Sequence, residues 1–400
     1  MNYKKIFFET TIYCSIIFIL LLFKFDNIYP IYGSHLFQDW IYILIYSSND
    51  CAHSFVLSDF NPDTDCKEIL NTNFVYPKIW LYITKFISNN FVYELTIIFL
   101  IIVFIFINLI LLKNISIYSK LIFIFSPVSI LLFQRGNNDI VIFILIYLFS
   151  ILLINNKKIL LSLIPLSLSI LLKLYAISVI PIFLTIKKRN KFFIFVSILS
   201  FSIFLLLVSD FLNLTNIYNK SGLKLAFSSS VYLKIINSTF DVNFDNKIFS
   251  IIFLILIILT SIFFKSKIPN VSENNEINFL IGSSIIVSSF FLNEGYLYKL
   301  IFLSFTLPLL YELKTKFNLK IYKYFLWIVY LSLWIEFSTY IIEFFFSIEY
   351  SAFKQNPYLE LKNIIFGTSI ILKHMIFWLL NINLIFLSTK IFTKKLIKYF

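Results

Sequence analysis

Three short polar stretches in an otherwise apolar chain carry the residues able to do chemistry: Gln134-Arg135-Gly136-Asn137-Asn138-Asp139, Lys173-Leu174-Tyr175 and Asn293-Glu294-Gly295-Tyr296-Leu297-Tyr298-Lys299. A charged side chain at membrane depth is costly unless it faces a cavity or finds a partner, so each is a candidate functional group. Arg135, Lys173 and Lys299 together suit the gripping of a phosphate, the arginine as a planar fork and the lysines as point charges. Gln134, Asn137, Asn138, Asp139, Tyr175, Glu294 and Tyr298 supply polar support around them. The same side chains also permit internal pairing, of Arg135 with Asp139 or of Lys299 with Glu294, or snorkelling of their long stems towards water.

A second group falls between the first and second apolar runs. Asp39 is its early carboxylate, which would otherwise cap or solvate a surface helix. Further on, Asp63-Thr64-Asp65 has the acidic-x-acidic pattern of metal-dependent transferases, with His53 and Asp59 close in sequence. Oxygen ligands of that kind suit Mg or Mn, although an acidic loop of this type is also commonly just solvated. Cys51 and Cys66 would close a disulfide worth about 3 kcal/mol if the segment faces an oxidising compartment, and are otherwise two free thiols.

The elements that must position these groups follow from composition. Apolar residues make up 59% of the 400 residues, against about 45–50% in soluble domains. Lipid is therefore the expected solvent for most of the surface, and a soluble globular enzyme is excluded. Apolar runs long enough to be helices lie near 6–25, 92–112, 119–134, 139–154, 159–173, 175–186, 191–209, 248–264, 277–292, 296–312, 321–346 and 361–389. The expected fold is all-α: one polytopic transmembrane bundle of about twelve spans covering residues 1–400.

The formal net charge of +13 is scattered in small groups between these runs, which makes it topological and not a nucleic-acid stripe. With the amino terminus in the cytoplasm, Lys187, Lys188, Arg189 and Lys191 fall on the inner side, as do Lys314, Lys316, Lys320 and Lys323. Lys390, Lys394, Lys395 and Lys398 join them, and the carboxyl terminus is also cytoplasmic. The opening Lys4-Lys5 and apolar run resemble a secretory signal without an Ala-x-Ala site, and read as a retained anchor. The outer side receives long connections at 26–91 and 210–247 and a shorter one at 347–360, and amphipathic pieces such as Phe74 to Phe86 would lie along the membrane surface. The run Leu121 to Phe133 can cover only about 20 Å of a hydrocarbon core about 30 Å thick. The polar tips of spans three to six therefore sit below the outer surface.

These pieces, in this order and on this side, resemble the GT-C superfamily of integral-membrane glycosyltransferases, most nearly glycosyltransferase family 87 and related bacterial membrane proteins. The likeness rests on His35-Leu36-Phe37-Gln38-Asp39-Trp40 and Phe74-Val75-Tyr76-Pro77 in the first outer loop, and on Phe133-Gln134-Arg135-Gly136-Asn137-Asn138-Asp139. Lys173-Leu174-Tyr175 running to Pro181 is similar to the family's Lys-x-Tyr/Pro followed by Pro, and Tyr298-Lys299-Leu300-Ile301-Phe302 resembles a Tyr-Arg-Leu-Ile pattern. It covers most of residues 1–312. Lys299 stands where the family has Arg, and the carboxyl-terminal spans match no family motif.

The resemblance implies transfer of a sugar, of hexosyl and mannosyl-like type, from a polyprenyl-phosphate donor to a glycan, lipid or protein acceptor at the extracytoplasmic face of a bacterial inner membrane. Asp39 matches the family's first outer-loop Asp, implied to be the general base. A carboxylate there can take the acceptor hydroxyl's proton as it attacks the anomeric carbon. The deep cations would stabilise the departing phosphate, and a single displacement implies inversion. The likeness requires no metal. Two readings compete: a twelve-span secondary transporter, against which stand the 6 glycines and the lack of internal repeats, and a lipid-linked oligosaccharide polymerase or ligase, for which the 210–247 loop speaks. His374, in the last span, reads as a packed interface residue.

Overall fold

Long apolar runs satisfy their backbone away from water as α-helices, whose hydrogen bonds are all internal to the segment. In the computed structural model of the chain the described residues are 3–22, 39, 41, 43, 45, 80, 90–155, 159–185, 226–231, 246–263, 268–291, 295–317, 320–346 and 361–399. In chain order the helices are α1 (Tyr3–Leu22), α2 (Asn90–Leu111), α3 (Ile117–Ile124), α4 (Pro127–Arg135), α5 (Asp139–Ile154) and α6 (Ile159–Leu172), followed by α7 (Asn246–Phe263), α8 (Glu273–Phe291), α9 (Leu303–Phe317), α10 (Lys320–Phe346) and α11 (Leu361–Tyr399). Leu174–Thr185 and Leu297–Phe302 wind more tightly as 3-10 helices. A two-residue antiparallel pairing of β1 (Ala226–Phe227) with β2 (Gly295–Tyr296) completes the described structure.

Among the described residues, two helical stretches are long and apolar enough to cross a membrane, Val92–Leu111 and Gly367–Ile397, and a third is added if α3 and α4 count as one broken span. The run expected as a single helix at 119–134 is divided because Pro127 has no N–H to continue the ladder and instead opens α4 at its first turn. The Ser126 N–H turns to the Phe123 carbonyl at 3.2 Å. The Ile122 carbonyl left over is taken by the Trp334 indole N–H at 2.8 Å, as a buried backbone acceptor requires. The runs expected at 175–186 and 296–312 are wholly or partly 3-10 in place of α. The run expected at 191–209 lies outside the described residues, as does most of the expected outer loops.

The chain divides into two units. The first comprises Met1–Asp26, Ile31–Asn114 and Ser129–Lys220; the second comprises Asn27–Pro30, Ile115–Val128 and Ser221–Phe400. In the first, α1 packs on α2, α2 on α5, α5 on α6, and α6 on the 3-10 segment that follows it. Phe104 of α2 meets Phe133 edge-on at 5.5 Å and Phe143 at 4.6 Å. Such aromatic pairs contribute about 0.5–1.5 kcal/mol each beyond area, and here they hold the end of α4 and the body of α5 against α2.

In the second unit α8 packs on α9 and α11, and α10 packs on α9 and α11. A close approach occurs at Gly282, where an added Cβ would lie 2.6 Å from the Phe302 carbonyl oxygen and 2.8 Å from Phe305 Cβ; small residues permit such contact between helices. Helix α7 is turned inside out by soluble standards. Among its described side chains Ser250 and Ser261 are the buried ones, whereas Ile248, Ile252, Ile255, Leu256, Leu259 and Phe263 are exposed. Ser250 is held from within by the Ser229 hydroxyl at 2.7 Å.

Candidate functional site

The turn between α4 and α5 builds the site. Arg135 ends α4, and Gly136 adopts φ 54°, a left-handed conformation that costs a side-chain-bearing residue about 1–2 kcal/mol. This lets the Gly136 N–H reach the Phe133 carbonyl at 3.0 Å and the Asn137 N–H reach the Leu132 carbonyl at 3.1 Å, the paired bonds of a Schellman ending. Immediately afterwards the Asn137 side-chain oxygen accepts from the Asp139 N–H at 2.9 Å, covering one of the donors left bare at the start of α5. The six residues from Gln134 to Asp139 thus form a closed turn, and their side chains inherit fixed directions.

Asp39 is buried, at 5% exposure, and is not the solvated or capping residue that its loop position allowed. Its carboxylate receives Arg135 through two nitrogens: Nη2 donates to Oδ1 at 2.7 Å, and Nε lies 3.2 Å from Oδ1 and 3.3 Å from Oδ2. The Asn137 Nδ2 amide donates to Oδ2 in a short contact. On the other side of Asn137, Lys173 Nζ donates to Asp139 Oδ1 at 2.7 Å and lies 3.4 Å from Asn137 Oδ1. The Tyr175 hydroxyl donates to the same Asp139 oxygen at 2.7 Å. Internal pairing occurs in this cluster with partners other than the expected Arg135–Asp139: Arg135 pairs with Asp39, and Asp139 with Lys173. Among the described residues two cations face two carboxylates, and the cations are the more accessible side: 20% and 11% exposed, against 6% and 0% for their partners.

Comparison of the chain with known protein families, with curated proteins and with solved structures finds no match. The site is accordingly read from its own geometry. Arg135 and Lys173 each stand at a helix end, where the macrodipole favours positive charge. Asp139 stands in the first turn of α5, where the same effect favours a carboxylate. Lys173 owes its place to a change of winding: its N–H still closes α6 on Ser169 at 2.9 Å, while its carbonyl accepts from Ala176 at 3.3 Å as the 3-10 segment begins. The Leu172 carbonyl at this junction is capped by the Trp80 indole N–H at 3.2 Å. Trp80 is fully enclosed and is a supporting residue that sequence reasoning missed. An indole N–H in a long apolar-and-polar loop was its one available signal.

Of the other expected residues, Gln134 and Asn138 are buried beside the same turn. Among the described residues neither amide atom of Asn138 finds a hydrogen-bond partner. Lys299 and Tyr298 belong to the second unit, where both are buried and the Lys299 ammonium lies 5.7 Å from the centre of the Tyr298 ring. Glu294, Asp63, Asp65, Cys51 and Cys66 lie outside the described residues. No group of three or more His, Cys, Asp or Glu able to hold a metal occurs among the described residues.

The second unit carries a charge pair that the sequence did not single out. Lys373 of α11 donates to Glu336 of α10 at 2.9 Å, with the two side chains 0% and 3% exposed. His374 is buried next to it, its ring 5.7 Å from that of Phe377.

Proposed function

We propose that this chain is an integral-membrane glycosyltransferase of GT-C type, with about twelve spans and both termini in the cytoplasm, working at the outer face of a bacterial inner membrane. It moves a sugar from a polyprenyl-phosphate donor to a glycan, lipid or protein acceptor, with inversion. The observation that supports this reading is the convergence of Asp39, distant in sequence, on Arg135 and Asn137, with Lys173 and Tyr175 gathered on Asp139 one turn away. Asp39 acts as the base towards the acceptor hydroxyl, and Arg135 and Lys173 hold the phosphate as it gains charge.

The test is incubation of the purified, lipid-reconstituted protein with radiolabelled polyprenyl-phosphate sugars. Transfer to an acceptor is expected from the wild type and is abolished in Asp39→Asn while the variant stays in the membrane at wild-type level. Unimpaired transfer by that variant ends the assignment of Asp39.

A secondary transporter is the second reading, favoured by the buried Lys373–Glu336 pair. Charges enclosed between long apolar helices are a common mark of ion pathways. Uptake of a solute into vesicles without sugar transfer would select it.

A further inference from the structure

The two oxygens of Asp39 are not equivalent. Among the described residues, Oδ1 accepts its hydrogen bonds from Arg135, through Nη2 at 2.7 Å and Nε at 3.2 Å. Oδ2 shares the Arg135 Nε at 3.3 Å and also accepts from Asn137 Nδ2. The Asn137 amide cannot turn over without loss, because its oxygen is committed to the Asp139 N–H at 2.9 Å and lies within reach of Lys173 Nζ at 3.4 Å. Its Nδ2 is thereby aimed at Asp39 by the start of α5. Arg135 is the more accessible partner of its ion pair, so an anion arriving at the site meets the guanidinium before the carboxylate and competes with Asp39 for it.

The geometry points to Asn137 as the positioning residue that keeps the Asp39 carboxylate in place when an anionic phosphate draws Arg135 away, leaving Oδ1 as the atom that accepts the acceptor's proton. This rests on the glycosyl-transfer reading above. In the structure the base is masked by its own arginine. Phosphate binding moves the Arg135 donors from Asp39 to the phosphate oxygens and uncovers Oδ1, while Oδ2 remains on Asn137. The acceptor O–H proton then passes to Oδ1 as the acceptor oxygen bonds to the anomeric carbon. The anomeric C–O bond to the phosphate breaks, and its electron pair stays on the phosphate oxygen held by Arg135. Donor binding is thus coupled to base activation, and the coupling is reciprocal: the Asp39 charge weakens phosphate binding by the factor that phosphate binding uncovers Asp39.

Reciprocity gives a test that needs no knowledge of the sugar. Affinity for farnesyl phosphate is measured with the full chain in lipid nanodiscs, and infrared difference spectra are recorded with 13C-labelled aspartate carboxylates. Asp39→Asn, which keeps the shape and removes the competing charge, is expected to bind farnesyl phosphate at least about fivefold more tightly. Arg135→Gln is expected to bind it more weakly. Wild type is expected to give a phosphate-induced carboxylate band that is absent in Asp39→Asn and displaced in Asn137→Ser, a variant that still offers an oxygen to the start of α5 but has no amide to reach Asp39. Unchanged or weaker binding by Asp39→Asn beside weakened binding by Arg135→Gln would overturn the masking and leave the phosphate grip standing. An unshifted band in Asn137→Ser would remove Asn137 from its role. Indifference of affinity to Arg135→Gln would overturn both the coupling and the phosphate site on which it rests.

Discussion

Replacing Asp139 with Asn removes a charge that is 0% exposed and faces Lys173 Nζ at 2.7 Å. At an effective dielectric constant near 20 the Coulomb attraction at that separation is about 6 kcal/mol. Asparagine retains an oxygen for Lys173 and Tyr175, and Lys173 at 11% exposure regains some hydration, so the net cost is about 3 kcal/mol. Lys173→Met is the milder lesion, about 2 kcal/mol, because the stranded carboxylate keeps the Tyr175 hydroxyl and the favourable end of the α5 dipole. Removing both charges together, in Asp139→Asn with Lys173→Met, leaves neither ion alone and costs about 3 kcal/mol, less than the sum of the two single losses. A double-mutant cycle on purified protein, unfolded by SDS titration from mixed micelles, should return a coupling of about 2 kcal/mol. Additive costs, or single variants within about 0.5 kcal/mol of wild type, would mean that the pair is hydrated and that the enclosed character given to this site is wrong.

The close approach at Gly282 predicts that Gly282→Ala pushes the α8–α9 contact apart at a cost of about 1–3 kcal/mol, read as a lowered midpoint in the same SDS titration; an unchanged midpoint would contradict the packing. In the second unit, Glu336→Gln should destabilise by about 3 kcal/mol because it removes the carboxylate facing a fully buried ammonium. Adding Lys373→Met should restore the melting temperature of the reconstituted protein, and a double variant as unstable as the single one would argue against a simple pair. Trp80→Phe keeps the aromatic volume but strips the cap from the Leu172 carbonyl, costing about 1 kcal/mol. It should also speed amide hydrogen exchange at the end of α6, and unaltered protection there would deny the cap.

Much of the helical layout was legible because apolar runs admit few other structures: α2, α5, α6, α7 and α8 start and stop within a few residues of the runs that announced them. The breaks were less so. Counting apolar residues treats Phe125-Ser126-Pro127 as filler, although a proline after a serine in such a run is a backbone instruction. The 3-10 winding of Leu174–Thr185 has no periodic mark at all, since every position there is apolar or small. At the site, the three deep cations and the turn from Gln134 to Asp139 stood out by charge alone. Their partners did not: Arg135 pairs with a carboxylate 96 positions away, a choice made by tertiary packing. Asn137, one of seven polar residues given equal weight beforehand, becomes central only when its two amide ends are seen to touch different ion pairs.

The left-handed residue at the end of α4 also sets a limit on how this protein can vary. Arg135 and Asn137 face Asp39 together because one glycine turns the chain between a helix that is ending and one that is beginning. Adding or deleting a single residue within α4 would rotate Arg135 by about 100° around the helix axis, and no rotamer of a neighbouring side chain could take over its bidentate contact. Length changes in this stretch should therefore be far less tolerated than exchanges of one apolar residue for another, making the spacing from Pro127 to Asp139 a more dependable signature of the site than the identity of the residues that fill it.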